Sequence, residues 1–126
     1  MNTHFVETVD LYPTLCELAA VAAPAGLDGK SFAASVRDVS LPAREHITHV
    51  FPRVERLGCA IRDARYRMVE WKKPGAPAGE AIIELYDCES DPLETANVAA
   101  QHPDIVVRMR AVLSRDEFIF SGNAPR

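Results

Sequence analysis

The chain has 126 residues, 48% hydrophobic and 25% charged, which suits one globular core of modest size and argues against disorder throughout. Fourteen basic against eighteen acidic residues leave a formal charge of -4 with no long run of like charge, so no nucleic-acid footprint is expected. No apolar run reaches membrane-spanning length, and Met1 to Glu7 lack the basic, apolar, small-residue order of a secretory signal, so neither a membrane partner nor a compartment can be read from the chain.

The first predicted element is an amphipathic helix from Val9 to Ala22, with Leu11, Leu15, Leu18 and Ala22 on one stripe, Asp10 as N-cap and Pro13 tolerated in the first turn. Pro24 and Gly26 stop it and open a loop through Leu27-Asp28-Gly29-Lys30-Ser31, after which Phe32, Ser35 and Val36 suggest one more short helical turn. From Ile47 the signals change to strands: Ile47 to Phe51, Gly58 to Arg62, Tyr66 to Trp71 and Ala81 to Tyr86. Asp63-Ala64-Arg65 is the tight connection of a hairpin, and Lys72 to Gly79 is a long turn rich in proline and glycine. Asp87 to Pro92 reads as a turn. A final helix starts near Pro103, its Ile105, Val106, Met109, Val112 and Leu113 at helical spacing and Arg108, Arg110 and Arg115 toward the negative end of its dipole, with fraying beyond Glu117. The expected fold class is α+β: a small antiparallel sheet of three or four strands with a C-terminal helix packed on it, preceded by an N-terminal amphipathic helix.

Cys16, Cys59 and Cys88 are odd in number, far apart and outside any Cys-x-x-Cys pattern, so buried thiols are expected in place of disulfides or a zinc site. His46 and His49 lie three apart in a strand-like segment, which sends them to opposite faces and argues against joint metal ligation. Arg53, Arg56, Arg62, Arg65 and Arg67 crowd one stretch, either as a local anion-binding surface or as solvated strand faces and turns.

Val9-Asp10-Leu11-Tyr12-Pro13-Thr14-Leu15, then Leu27-Asp28-Gly29-Lys30-Ser31, then Glu84-Leu85-Tyr86-Asp87 with Asp91-Pro92-Leu93-Glu94-Thr95 and Asn97, taken in that order, resemble the C-terminal region of the sulfatases in the alkaline-phosphatase-like superfamily. Phe51-Pro52-Arg53, Leu57-Gly58-Cys59-Ala60-Ile61-Arg62, Arg65-Tyr66-Arg67 and Glu70-Trp71 are similar to the iduronate-2-sulfatase subgroup. The resemblance implies that residues 1–24 are the terminal helix of a sulfatase large domain and residues 25–126 the C-terminal subdomain.

It also implies a hydrolysis that uses a formylglycine, made within a Cys/Ser-x-Pro-x-Arg motif, and a calcium ion held by acidic side chains. None of the three cysteines has proline two residues on and arginine four on, so no catalytic residue and no metal ligand is assigned. The one substrate-binding candidate is Arg53, which by resemblance lies toward the active-site side of the small domain; the competing assignment is an ion pair with Glu70 or Asp63. Trp71 and Tyr86 are either sugar platforms or core aromatics, and Asp87, Asp91 and Glu94 lack the spacing and central glycine of an EF-hand loop.

The expected function is therefore that of a C-terminal piece of a sulfatase, completing the fold and the substrate pocket but not catalytic alone. Its partners would be the sulfatase large domain, a sulfated glycan in the complete enzyme, and further copies of itself through the N-terminal helix. The alternative is a free-standing, non-catalytic binding module derived from a sulfatase small domain. A Cys-x-Pro-x-Arg coding segment upstream would separate the two.

Overall fold

The computed structural model describes residues 4–114, so Arg115 and the fraying expected beyond Glu117 lie outside the described residues. The chain divides into two compact units, Met1–Ile47 and Thr48–Arg126.

The first unit holds a 3-10 turn at Thr8–Asp10, helix α1 at Leu11–Leu18 and the short helix α2 at Ala33–Arg37. Helix α1 ends well before the expected Ala22, because Ala20 takes a left-handed φ of 55° and the Val21 N–H donates back to the Cys16 carbonyl at 2.9 Å. That closes the helix in the manner usually reserved for glycine. Asp10 does not cap α1 as expected. Its carboxylate, 1% exposed, accepts from the Glu7 N–H at 3.1 Å, the Lys30 N–H at 2.8 Å and the Arg44 guanidinium, with Nε at 2.6 Å. Thr14 adds a second tie, since its Oγ1 accepts from the Phe32 N–H at 3.0 Å while donating to the Asp10 carbonyl.

These bonds cross the position after Pro24 and join the first helix to the loop and helix that follow it. Gly29 is required there: a Cβ would fall 1.9 Å from the Val9 carbonyl oxygen. The buried side of α1 carries Pro13, Thr14 and Cys16, whereas the leucine stripe is open, with Leu11 48%, Leu15 63% and Leu18 45% exposed.

The second unit is a four-stranded sheet in the order β1-β2-β3-β4, with β1 Ile47–Arg53, β2 Arg56–Arg62, β3 Tyr66–Lys72 and β4 Ile82–Asp87, followed by α3 at Pro103–Leu113. Strands that follow one another in sequence pair side by side, as expected of a meander. Register is fixed by Cys59 opposite Glu70 and Ile61 opposite Met68 on one side of β3, and by Met68 opposite Leu85 on the other. Because side chains alternate, Cys59, Ile61, Tyr66, Met68 and Leu85 share one face, and Met109 and Leu113 of α3 pack into them.

Pro103 occupies the first turn of α3, where its missing N–H costs nothing. The helix is then pinned by ion pairs as well as apolar contact: Arg110 grips the buried Glu70 with Nε at 2.9 Å, and Arg108 reaches Asp63 at 2.7 Å. Asp63 also closes the β2–β3 turn, accepting from the backbone N–H groups of Arg65 and Tyr66.

The outer edge of β4 is covered by a single side chain and its neighbour. Asn97 Oδ1 accepts from the Leu85 N–H at 3.0 Å, its Nδ2 donates to the Ile83 carbonyl at 3.2 Å, and the Val98 N–H donates to the Leu85 carbonyl at 2.8 Å. An open strand edge is thereby closed. The expected long turn after β3 contains a 3-10 turn at Ala78–Glu80. No helix among the described residues is long and apolar enough to cross a membrane.

Arg44, beside Asp10, is the main reason that its carboxyl is lowered from 3.8 to about 2, against the opposing effect of burial. A carboxylate lowered on folding stabilises the native state above its unfolded value and loses that contribution as pH falls through its folded value. Acid titration should therefore show a stability plateau above about pH 5, and below it Asp10 should contribute about 2 kcal/mol of loss as pH falls from 3.8 toward about 2, alongside the other carboxylates that folding lowers. Asp10→Asn should lower the urea midpoint at neutral pH and flatten the curve in that acid window; an unchanged acid limb would contradict this account.

Candidate anion-binding cleft at the β1–β2 hairpin

The sheet face away from α3 carries Arg56, Gly58, Ala60 and Arg62 on β2, Arg67, Val69 and Trp71 on β3, and Ile82, Glu84 and Tyr86 on β4, as the alternation from the core residues dictates. Phe51 and Arg53 of β1 belong to the same face: Phe51 meets the Trp71 ring edge-on at 5.0 Å, and the Arg53 guanidinium lies 5.7 Å from the Trp71 ring centre. At the hairpin end these residues form a cleft of ≈ 410 Å³ lined by Arg53, Arg56, Trp71, Ile82 and Glu84, with Val54 and Glu55 at the tip.

Gly58 sets the shape of this cleft. It sits opposite Trp71, and a Cβ there would lie 2.7 Å from one indole carbon and 3.1 Å from the Phe51 ring. The indole fills the space that a side chain would take.

Carboxylate partners distinguish the arginines. Arg37 pairs with Glu17, Arg44 with Asp10 and Glu7, Arg65 with Asp87, Arg67 with Glu94, Arg108 with Asp63 and Arg110 with Glu70. Arg53, Arg56 and Arg62 form no ion pair with a carboxylate among the described residues, although Arg62, after Arg67, helps to lower the Glu94 carboxyl. Two of these three line the same cleft. The connection between β1 and β2 is only Val54-Glu55, so Arg53 and Arg56 flank a two-residue turn and stand across from one another. Like charges so placed destabilise a strand pair by a few tenths to about 1 kcal/mol; of the two carboxylates in the lining, Glu55 pairs with Lys73 at 3.0 Å and Glu84 is not ion-paired with either arginine, so neither clamps the pair. A bound anion would.

The two partners anticipated for Arg53 are engaged elsewhere, Glu70 by Arg110 and Asp63 by Arg108. Trp71 is half-buried beneath Arg53, and Tyr86, farther along the same face, lies under Arg67 at 5.0 Å. His49 packs against the Phe51 ring at 5.4 Å. Cys16 and Cys59 are buried, and burial is the first cause, ahead of nearby Glu70, that pushes the Cys59 thiol up to about 11. Cys88 departs from the expected burial: it is half-exposed, its Sγ 3.5 Å from Glu94.

Asp87, Asp91 and Glu94 do not fit a calcium site. Asp87 holds Arg65, which keeps its carboxyl well below the usual range, Asp91 accepts from the Thr95 and Ala96 N–H groups, and Glu94 holds Arg67. Among the described residues, no three His, Cys, Asp or Glu side chains gather to hold a metal. Arg56 and Glu84 went unassigned at the sequence level although both lie within segments that carry the resemblance or the arginine cluster. The register brings them to Arg53; the spacing alone does not show it.

Residues 1–117 match the model of the N-sulphoglucosamine sulphohydrolase C-terminal family, so the chain belongs to the C-terminal domain family of these sulfatases. Among curated relatives it is 34% identical over 104 residues to arylsulfatase K of Danio rerio, covering 79% of this chain and 20% of that protein. It is 32% identical over 121 residues to the Delta 4,5-hexuronate-2-O-sulfatase of Bacteroides thetaiotaomicron, covering 89% of this chain and 23% of that one. The chain thus spans about a fifth of the length of such relatives. Among solved structures, BT4656 in complex with its substrate D-glucosamine-2-N,6-O-disulfate superposes with a TM-score of 0.70 at 19% identity, over 92% of this chain and 24% of that one. Ps i-CgsB gives a TM-score of 0.70 at 22% identity, over 95% and 26%. Both share the fold.

Gly58→Ala should cost about 1–3 kcal/mol, because it drives a methyl group into the indole. The chain has a single tryptophan, so its emission reports on this contact directly. The variant should unfold at lower urea with a shifted native emission maximum. A native spectrum identical to that of the parent chain would show that Trp71 does not fill the space above Gly58.

Proposed function

We propose that this chain acts as the C-terminal region of a sulfuric ester hydrolase of the iduronate-2-sulfatase type, completing the substrate pocket without supplying the reacting groups. The observation that carries this reading is the opposed, carboxylate-free pair Arg53 and Arg56 beside Trp71 in one cleft. Arg53 offers a planar fork of N–H donors that fits a carboxylate or sulfate two bonds at a time, and the indole offers an apolar face to a sugar ring. The formylglycine and calcium that the family chemistry uses would come from the large domain, since no residue described above fits either role.

The exposed stripe of α1 is the proposed docking surface for that large domain. Leu11, Leu15 and Leu18 are each about half exposed, so each forgoes roughly 1 kcal/mol of further burial, and the relatives' additional length supplies a partner to cover them. In a chain without that partner the same stripe would drive self-association, visible by light scattering.

Purified alone, the chain should hydrolyse neither aryl sulfates nor sulfated uronic acids, with or without added calcium. Joined to a catalytic domain of the family, Arg53→Ala should raise KM about tenfold, the equivalent of one charge-assisted hydrogen-bond pair, with metal content unchanged. Unchanged kinetics on the best substrate would remove Arg53 from the pocket, and turnover by the isolated chain would overturn the reading as a whole.

A further inference from the structure

Glu84 lies in the same cleft as Arg53 and Arg56, and the two carboxylates of the lining differ in their circumstances. Glu55 is paired with Lys73 at 3.0 Å, whereas Glu84 has no cation partner among the described residues and takes only a long 3.5 Å contact from the Tyr86 hydroxyl. Glu84 stands on β4 opposite Val69, one same-face position inward from Ile82, which is opposite Trp71. The cleft is therefore polar along its length: guanidinium groups at the hairpin end, the indole between, a carboxylate at the inner end.

We infer that Glu84 is a specificity-determining residue, accepting hydrogen bonds from ligand hydroxyl groups and turning away sugars that carry a second anion at its end of the cleft. An ionised carboxylate can only accept hydrogen bonds, so sugar hydroxyls match it. Sulfate or carboxylate oxygens do not, because two acceptors face each other without a proton between them and their charges repel. The ligand class that fits is a sugar whose anionic group points to Arg53 and Arg56 and whose free hydroxyls point to Glu84. This inference rests on the reading of the cleft as a sugar site.

The single tryptophan, Trp71, makes the test direct. The chain, Arg53→Ala, Glu84→Gln and Glu84→Asp would be titrated at low salt with methyl glucuronide, which has one carboxylate and free hydroxyls, and with its O-persulfated counterpart, following Trp71 emission and its amide shift. Glu84→Gln should tighten the persulfated sugar about fivefold, the scale of an exposed charge pair, and weaken the unsulfated one. Glu84→Asp, which keeps the charge, should retain the parent's order of preference. Opposite signs for the two ligands cannot arise from a general loosening of the sheet. If Glu84→Gln moves both ligands in the same direction, or neither by more than about twofold, the assignment of Glu84 is overturned while the sugar site stands. If neither ligand affects Trp71 in the parent chain, or Arg53→Ala leaves the response intact, the sugar site itself is overturned and the role of Glu84 with it.

Discussion

Pairing between arginines and carboxylates is the constraint on which the remaining structure depends. In the first unit, Asp10 gathers the Glu7 and Lys30 N–H groups and Arg44 around one buried carboxylate, closing more than thirty residues of chain on a single point. In the second, Glu70 and Asp63 fasten α3 to the sheet through Arg110 and Arg108, while Asp87 and Glu94 fasten the turn after β4 through Arg65 and Arg67. Where the carboxylate is deeply buried, as at Asp10 and Glu70, removing its arginine leaves a charge without compensation, which costs more than the pair contributes. The arginines outside this scheme stand out for that reason: Arg53 and Arg56 hold no loop and clamp no helix.

The sequence motifs acquire a common physical meaning in this light. Val9-Asp10 and Leu27-Asp28-Gly29-Lys30 lie far apart in the chain, yet Gly29 passes so close to the Val9 carbonyl that no side chain fits, and Lys30 donates its N–H to Asp10. The residues near the end of the chain behave likewise. Asp91 caps the turn, Glu94 fixes Arg67 and Asn97 closes the open edge of β4, so each polar letter of that stretch satisfies backbone groups or a charge that would otherwise be left bare.

All four strands and the last helix were legible from alternation, turn residues and helical spacing, to within a residue or two at most ends. The first helix was less so, because its end is made by an alanine in the left-handed region, for which composition gives no warning. Asp10 reads as a cap when only its neighbours are considered; its true partner, Arg44, is distant in sequence and found only by folding. The same holds for the cleft. Arg53 could be singled out by resemblance, but that its anticipated partners Glu70 and Asp63 are held by Arg110 and Arg108, and that Arg56 and Glu84 share its cleft, follows from register and from helix packing.

The hairpin tip shows why the arginine pair stays together. Val54 adopts a φ of 54° and is 101% exposed, a conformation that costs a β-branched residue roughly 1–2 kcal/mol and gains it no burial. A two-residue connection needs a positive φ near its start, and a longer loop would remove that need at little entropic cost. A longer loop would also release Arg53 and Arg56 from their opposed positions and let their guanidiniums drift apart to lower their repulsion. Two unfavourable features, a strained valine and a like-charged pair, thus coincide at a cleft floored by an indole for which Gly58 leaves room. Each alone would be a local imperfection; together they fit the anion site proposed for this cleft, because folding would then hold its donors in place before any ligand arrives.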